Sequence, residues 1–160
     1  MKRILFVATA CLLLAVSSAF CFSMLLLRDA EAASPAAQKT AGERKLLGKR
    51  MFSLQWLLDG EKIKYGTANI TRKDTGLHID ARHELNGNYA ILKGDLVVVD
   101  PTEFTVTGEL VTRVSYINNG KECPRNGTFT FKATGKRKYW RMQAMENPCQ
   151  NVLDYVDVYF

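Results

Sequence analysis

The sequence predicts an all-β fold: a single antiparallel β-barrel or β-sandwich of about eight short strands, preceded by an apolar export helix. Three observations carry this. From Phe52 onward, short alternating apolar segments recur every 8–12 residues or so, separated by Gly, Asn and Asp turn signals. No segment past Leu58 repeats its apolar residues at the helical period. The alternation itself implies antiparallel pairing with one wet face, because doubly buried parallel strands read as continuous apolar runs.

The N-terminal element is read from its flanks. Lys2 and Arg3 precede an apolar run over residues 4–27, and Ala30-Glu31-Ala32 comes after it. A positive start, an apolar stretch and small residues at A-x-A spacing are the parts of a secretory signal peptide. The run has 24 residues, longer than the roughly 7–15 of a cleaved segment and enough for the roughly 20 of a spanning helix. Residues 1–32 are therefore a signal peptide cut after Ala32 or an uncleaved signal anchor. In both cases the charge bias exports the bulk of the chain. The expected location is periplasmic or secreted, or tied to the inner membrane through residues 4–27. Residues 33–50, small, polar and basic, read as a flexible basic linker with a short helical turn around 44–47.

The β-domain is expected over 51–160. Residues 52–58 alternate and meet Asp59-Gly60; 64–70 come next, and Asp74-Thr75-Gly76 turns the chain into 77–81. Asn86-Gly87-Asn88 is a strong turn signal. Residues 89–92 lead through Gly94 to 96–99, a continuous apolar run that predicts a central strand buried on both faces. Residues 103–107 alternate, Gly108 permits a bulge or close approach, and 110–117 continue to the turn at Asn118-Asn119-Gly120. Residues 128–132 and 138–142 flank a turn at 134–136, and 155–160 form the last strand.

Past position 32 there remain 128 residues, enough for one domain, with 19 basic against 14 acidic side chains. For an exported protein this positive balance favours an anionic lipid, lipopolysaccharide or an acidic glycan as partner, or else an envelope protein. Nucleic acid is excluded by compartment, and membrane contact is open to residues 4–27. Cys123 and Cys149 are the exported cysteines. In an oxidising compartment they predict a disulfide closing a loop of about 26 residues, worth roughly 3 kcal/mol by loop entropy. C-x-x-C and zinc spacings are absent.

The sharpest chemical cluster is Lys136-Arg137-Lys138-Tyr139-Trp140-Arg141. On a strand, Arg137, Tyr139 and Arg141 share one face and Lys136, Lys138 and Trp140 the other. Guanidiniums around an aromatic ring can hold a phosphate or carboxylate while the ring stacks on its neighbour. Lys136, Arg137, Lys138, Tyr139 and Arg141 are therefore the candidate binding residues. The competing arrangement buries Trp140 and pairs Arg141 with an acidic neighbouring strand.

His78, Asp80 and Arg82 share a face while His83 points away, so the two histidines cannot chelate one ion, and no metal or cofactor is expected. Neither a G-x-S-x-G elbow nor an H-E-x-x-H helix is present, and no catalytic residue is assigned. The opening strand with Trp56, ahead of a meander and closing basic residues, resembles the lipocalin or calycin barrels in general layout. The Gly two residues before that Trp is replaced by Leu54, and the resemblance implies no functional residue.

The function expected is that of an exported, non-catalytic binding domain of the cell envelope. A single-pass accessory subunit docking on a larger membrane complex is one alternative. A small inhibitor presenting the loop 123–127 to an extracellular hydrolase is another.

Overall fold

Alternation becomes pairing in chain order. The computed structural model describes residues 33–58 and 63–160; the expected export segment and the turn expected at Asp59-Gly60 lie outside the described residues. Eight strands succeed one another: β1 (Gly48–Leu54), β2 (Gly66–Lys73), β3 (Gly76–Leu85), β4 (Asn88–Asp100), β5 (Glu103–Arg113), β6 (Cys123–Lys132), β7 (Tyr139–Met142) and β8 (Val156–Tyr159). Each pairs antiparallel with the next, and β8 returns to β1, closing a barrel. The fold is thus the barrel rather than the sandwich. Inward residues of every strand fill it, among them Phe52, Ile70, Ile79, Leu92, Phe104, Leu110, Phe131, Trp140 and Val158, all at most 1% exposed. An eight-stranded barrel is just wide enough for side chains to fill its interior.

Several expectations are corrected. The segments 89–92 and 96–99 are one strand, β4, and 103–107 and 110–113 are one strand, β5. Gly94 and Gly108 do not end them but face each other across the pair. A Cβ on Gly108 would lie 2.0 Å from the Lys93 carbonyl oxygen, and one on Gly94 2.4 Å from that of Thr107. Here the two backbones approach more closely than any side chain allows. The apolar run 96–99 is not buried on both faces: Leu96 and Val98 point inward, whereas Val97 is 56% and Val99 51% exposed. The first strand ends at Leu54, and Trp56 sits on a single 3-10 turn, Gln55–Leu57. Residues 123–127 form no protruding loop but open β6, paired with β5.

The largest correction concerns 33–50. Pro35–Leu46 is a helix, α1, and Gly48 already begins β1, so these residues are regular elements rather than a flexible linker. Ser34 caps α1, its Oγ accepting the Ala37 N–H at 3.3 Å, and Pro35 occupies the first turn, where its missing N–H costs nothing. Arg44 and Lys45 stand in the last turn, favourable to the helix dipole. Only Gly42 and Leu46 of α1 are buried, so the apolar stripe is too narrow to show as a helical period. Gly42 lets the helix lie flush on β4: a Cβ there would meet Val98 Cγ1 at 2.6 Å and the Asp100 carbonyl oxygen at 2.8 Å. Glu43 pairs with Arg72 at the end of β2, and Lys45 lies over Trp140 and Phe160. The helix therefore caps one mouth of the barrel.

The opposite mouth is closed by residues 143–155, which fold back on themselves through the Glu146–Leu153 bridge. The Cys123–Cys149 disulfide ties this segment to the start of β6. Beneath it, the buried Asp154 carboxylate accepts from Trp56 Nε1 at 3.0 Å, Asn147 Nδ2 at 3.0 Å, Thr112 Oγ1 at 3.4 Å and Arg125 at 2.7 Å.

One rung of the barrel runs through a side chain. Extending the β1–β2 register past Phe52 and Gly66 would place Leu54 opposite Lys64. Instead the buried His83 imidazole stands between them. Its Nδ1 accepts the Leu54 N–H at 3.1 Å, and its Nε2 donates to the Lys64 carbonyl at 2.7 Å. The Nδ1 bond requires the neutral ring, whereas the Nε2–H bond to the Lys64 carbonyl survives protonation; burial outweighs that bond and holds the His83 pKa below its ordinary value. The unfolded chain therefore binds the proton first as pH falls, so stability from this site is present above about pH 6.5 and lost below it. Unfolding in urea between pH 7 and pH 5 is expected to show this loss. His83→Phe is expected to be less stable at pH 7 yet to lose less on acidification; an unchanged slope would remove His83 as the cause.

Candidate functional site

The turn between β6 and β7 carries Lys136, Arg137 and Lys138, all exposed. Because β6 ends and β7 begins at the capped mouth, this turn lies beside the last turn of α1 and the end of β8. Lys45, Thr102, Ala133, Gly135, Lys136, Arg137, Lys138 and Phe160 line a cleft of about 440 Å³ there. Four of these side chains are cations, and none is a carboxylate or an imidazole.

The apolar wall is aromatic. Phe160 packs edge-on against Trp140, with ring centroids 4.4 Å apart. The Lys45 Nζ lies 3.3 Å from the Phe160 centroid and 4.9 Å from that of Trp140. A cation so placed is stabilised by the ring faces while its outer side stays open to a ligand. Partial burial, and then the neighbouring Lys138 charge, lower the Lys45 pKa. A lysine next to another cation in this way is relieved when an anion arrives. The Thr102 hydroxyl is engaged with Asp100 at 2.7 Å. The lining can thus neutralise an oxyanion from several sides and offer a ring to an apolar or sugar body.

The five residues singled out by sequence divide. Lys136, Arg137 and Lys138 line the cleft. Tyr139 and Arg141 stand on the outer wall, where Arg141 forms a bidentate pair with Asp157 at 2.8 and 2.7 Å across the β7–β8 register. The Arg141 guanidinium also lies 4.4 Å from the Tyr155 ring centroid and 5.1 Å from that of Tyr139. Arg141 is therefore committed to holding two strands together, and Trp140 is buried in the core. The shared face of Arg137 and Tyr139 does form, the guanidinium lying 5.8 Å from the ring.

Lys45 and Phe160 were missed by sequence reasoning. They lie far from the basic turn in the chain and join it only through barrel closure and the packing of α1. The readable signal was the Ser34-Pro35 helix start, which places Arg44 and Lys45 at a helix end.

The histidines are apart, as their alternation on β3 requires. His78 lies on the outer wall 3.2 Å from Asp95, whereas His83 is buried. Among the described residues no three His, Cys, Asp or Glu side chains converge as metal ligands.

A family model described as the PM1083 family matches residues 31–160. The chain is 49% identical over 118 residues to the uncharacterized protein PM1083 of Pasteurella multocida (strain Pm70), covering 74% of this chain and 75% of the relative. No solved structure matches.

Proposed function

We propose that this chain, which belongs to the PM1083 family over residues 31–160, is an exported, non-catalytic binding domain holding an anionic group in the cleft at the capped mouth. The observation that carries this is the convergence of Lys45, Lys136, Arg137 and Lys138 on one cleft with an aromatic wall. Export is supported by the apolar N-terminal run and by the Cys123–Cys149 disulfide, which belongs to an oxidising compartment.

Residues 33–160 suffice for the test. Every member of the described hydrophobic core lies between Leu46 and Val158, and the disulfide falls within the same span. Titrated at low salt with glycerol 3-phosphate, this domain is expected to bind. Lys136→Glu/Lys138→Glu is expected to weaken binding at least tenfold without lowering the unfolding temperature, since both side chains are exposed and make no ion pair among the described residues. Arg141→Gln, whose parent residue is held by Asp157, should leave the affinity of the folded fraction unchanged. Equal affinity in a folded double variant would remove the cleft from the function.

The outer wall favours a second reading, that of an accessory subunit docking on a membrane complex. Tyr65, Tyr139 and Tyr159 form a ring cluster with centroids 5.1 and 5.3 Å apart, next to Arg141 and Tyr155. Tyrosine and arginine are the residues enriched where proteins meet.

A further inference from the structure

The two mouths of the barrel differ in charge far more than the sequence suggests. At the capped mouth, residues 42–50, 72–76, 100–103 and 132–138 hold ten lysines and arginines against four side-chain carboxylates. At the opposite mouth, among the described residues 54–58, 63–66, 84–89, 112–125 and 142–156, four cations face four carboxylates. The register forces this separation, because antiparallel strands in chain order return every second turn to the same mouth.

Pairing does not cancel the excess. Arg72 is matched by Glu43 and Lys132 by Glu103, but Lys49, Lys73, Lys136, Arg137 and Lys138 make no ion pair among the described residues. These five are exposed and come from three different chain segments: Lys136, Arg137 and Lys138 line the cleft, and Lys49 and Lys73 stand at the same mouth outside its lining. Phe160, 38% exposed, is the apolar group in their midst.

From this we infer that the capped mouth is a docking surface for an anionic lipid bilayer, with the cleft taking one lipid headgroup. The inference rests on the anion-binding reading of the cleft and extends it to the surrounding ring. A cleft of about 440 Å³ suits a headgroup, whereas Lys49 and Lys73 lie outside its lining and have a role only against an extended negative surface. Each such cation near an anionic leaflet strengthens association about fivefold, within a Debye length of about 8 Å. Chain order agrees: the apolar run over 4–27 ends only seven residues before Ser34 and Pro35 begin α1, the element that caps this same mouth.

The test is sedimentation of residues 33–160 with vesicles, phosphatidylglycerol–phosphatidylcholine against phosphatidylcholine alone. Binding is expected to the anionic vesicles only, and to be lost in high salt. Lys49→Glu/Lys73→Glu should weaken vesicle binding tenfold or more and leave glycerol 3-phosphate binding unchanged. Lys136→Glu/Lys138→Glu should weaken both. If the first variant still binds vesicles normally while the second does not, the extended surface is overturned and the cleft stands alone. If glycerol 3-phosphate never binds but both variants lose vesicles, the cleft reading fails and the surface stands. Equal binding to both vesicle types, or to neither, overturns the inference.

Discussion

Asp154→Ala is expected to destabilise the barrel by about 3–5 kcal/mol, the cost of removing one partner from a buried ion pair. Four donors converge on this carboxylate: Trp56, Thr112, Asn147 and Arg125. Asp154 is 1% exposed, and the Arg125 side chain is 9% exposed with its Nε lacking any partner. Without the carboxylate, Arg125 is left as an uncompensated charge under the 143–155 segment, already held below its usual pKa by burial. Urea unfolding at pH 7 should show a lower midpoint with unchanged slope. A loss below about 1 kcal/mol would mean that water reaches Arg125 and that the network contributes little. The cleft lies at the other mouth, so glycerol 3-phosphate binding by the folded variant is expected to persist.

Cys123→Ser/Cys149→Ser is expected to lose about 3 kcal/mol, since the bond closes 26 residues of separation. This effect is coupled to the first. The Cys149 N–H donates to Asn147 Oδ1 at 2.8 Å, and Asn147 Nδ2 donates to Asp154. The disulfide and the carboxylate thus hold the same segment over the same mouth. Once one is gone, the segment is partly released and the other has less to stabilise. The combined variant is expected to lose less than the sum of the two, a double-mutant cycle with clear interaction energy. Strict additivity would show that the disulfide stabilises only through the unfolded chain.

How much of this was readable depended on whether neighbours in sequence were neighbours in space. The strands were legible because hairpin partners adjoin: Asn86-Gly87 sits between Leu85 and Asn88, the last pair of β3 and β4. Gly108 was readable as a bulge or a close approach, and the close approach is what forms, but that it meets Gly94 within two unbroken strands is known only once the pairing is. Val97 and Val99 misled for a related reason: apolar composition does not reveal which face is covered, and Thr105 opposite Val97 leaves that wall open. Helix α1 was hidden by its narrow contact through Gly42 and Leu46. The basic turn at 136–138 was visible as a candidate site, but Lys45 and Phe160 join it in the cleft only after closure. Pairing of Arg141 with an acidic neighbouring strand was readable as an alternative to binding, but its partner Asp157, sixteen residues away on the next strand, is named only by the register.

The seam of the barrel has a consequence for the order of folding. Seven of the eight strand pairings join consecutive strands, and most can form locally as hairpins. The eighth, β1 with β8, brings together residues more than a hundred positions apart through only three pairs, Phe52–Val158, Ser53–Asp157 and Leu54–Val156. Closure entropy for so long a loop is recovered only once most of the chain is ordered, so this seam closes last and opens first. Its neighbour β7 is held to β6 by just two pairs, Phe131–Met142 and Lys132–Arg141. Phe160 extends β8, Lys136 to Lys138 lead into β7, and α1 runs directly into β1. The cleft is therefore assembled by the final stitch of the barrel, and the ligand proposed for it would act as a clasp on the part of the molecule most ready to come undone.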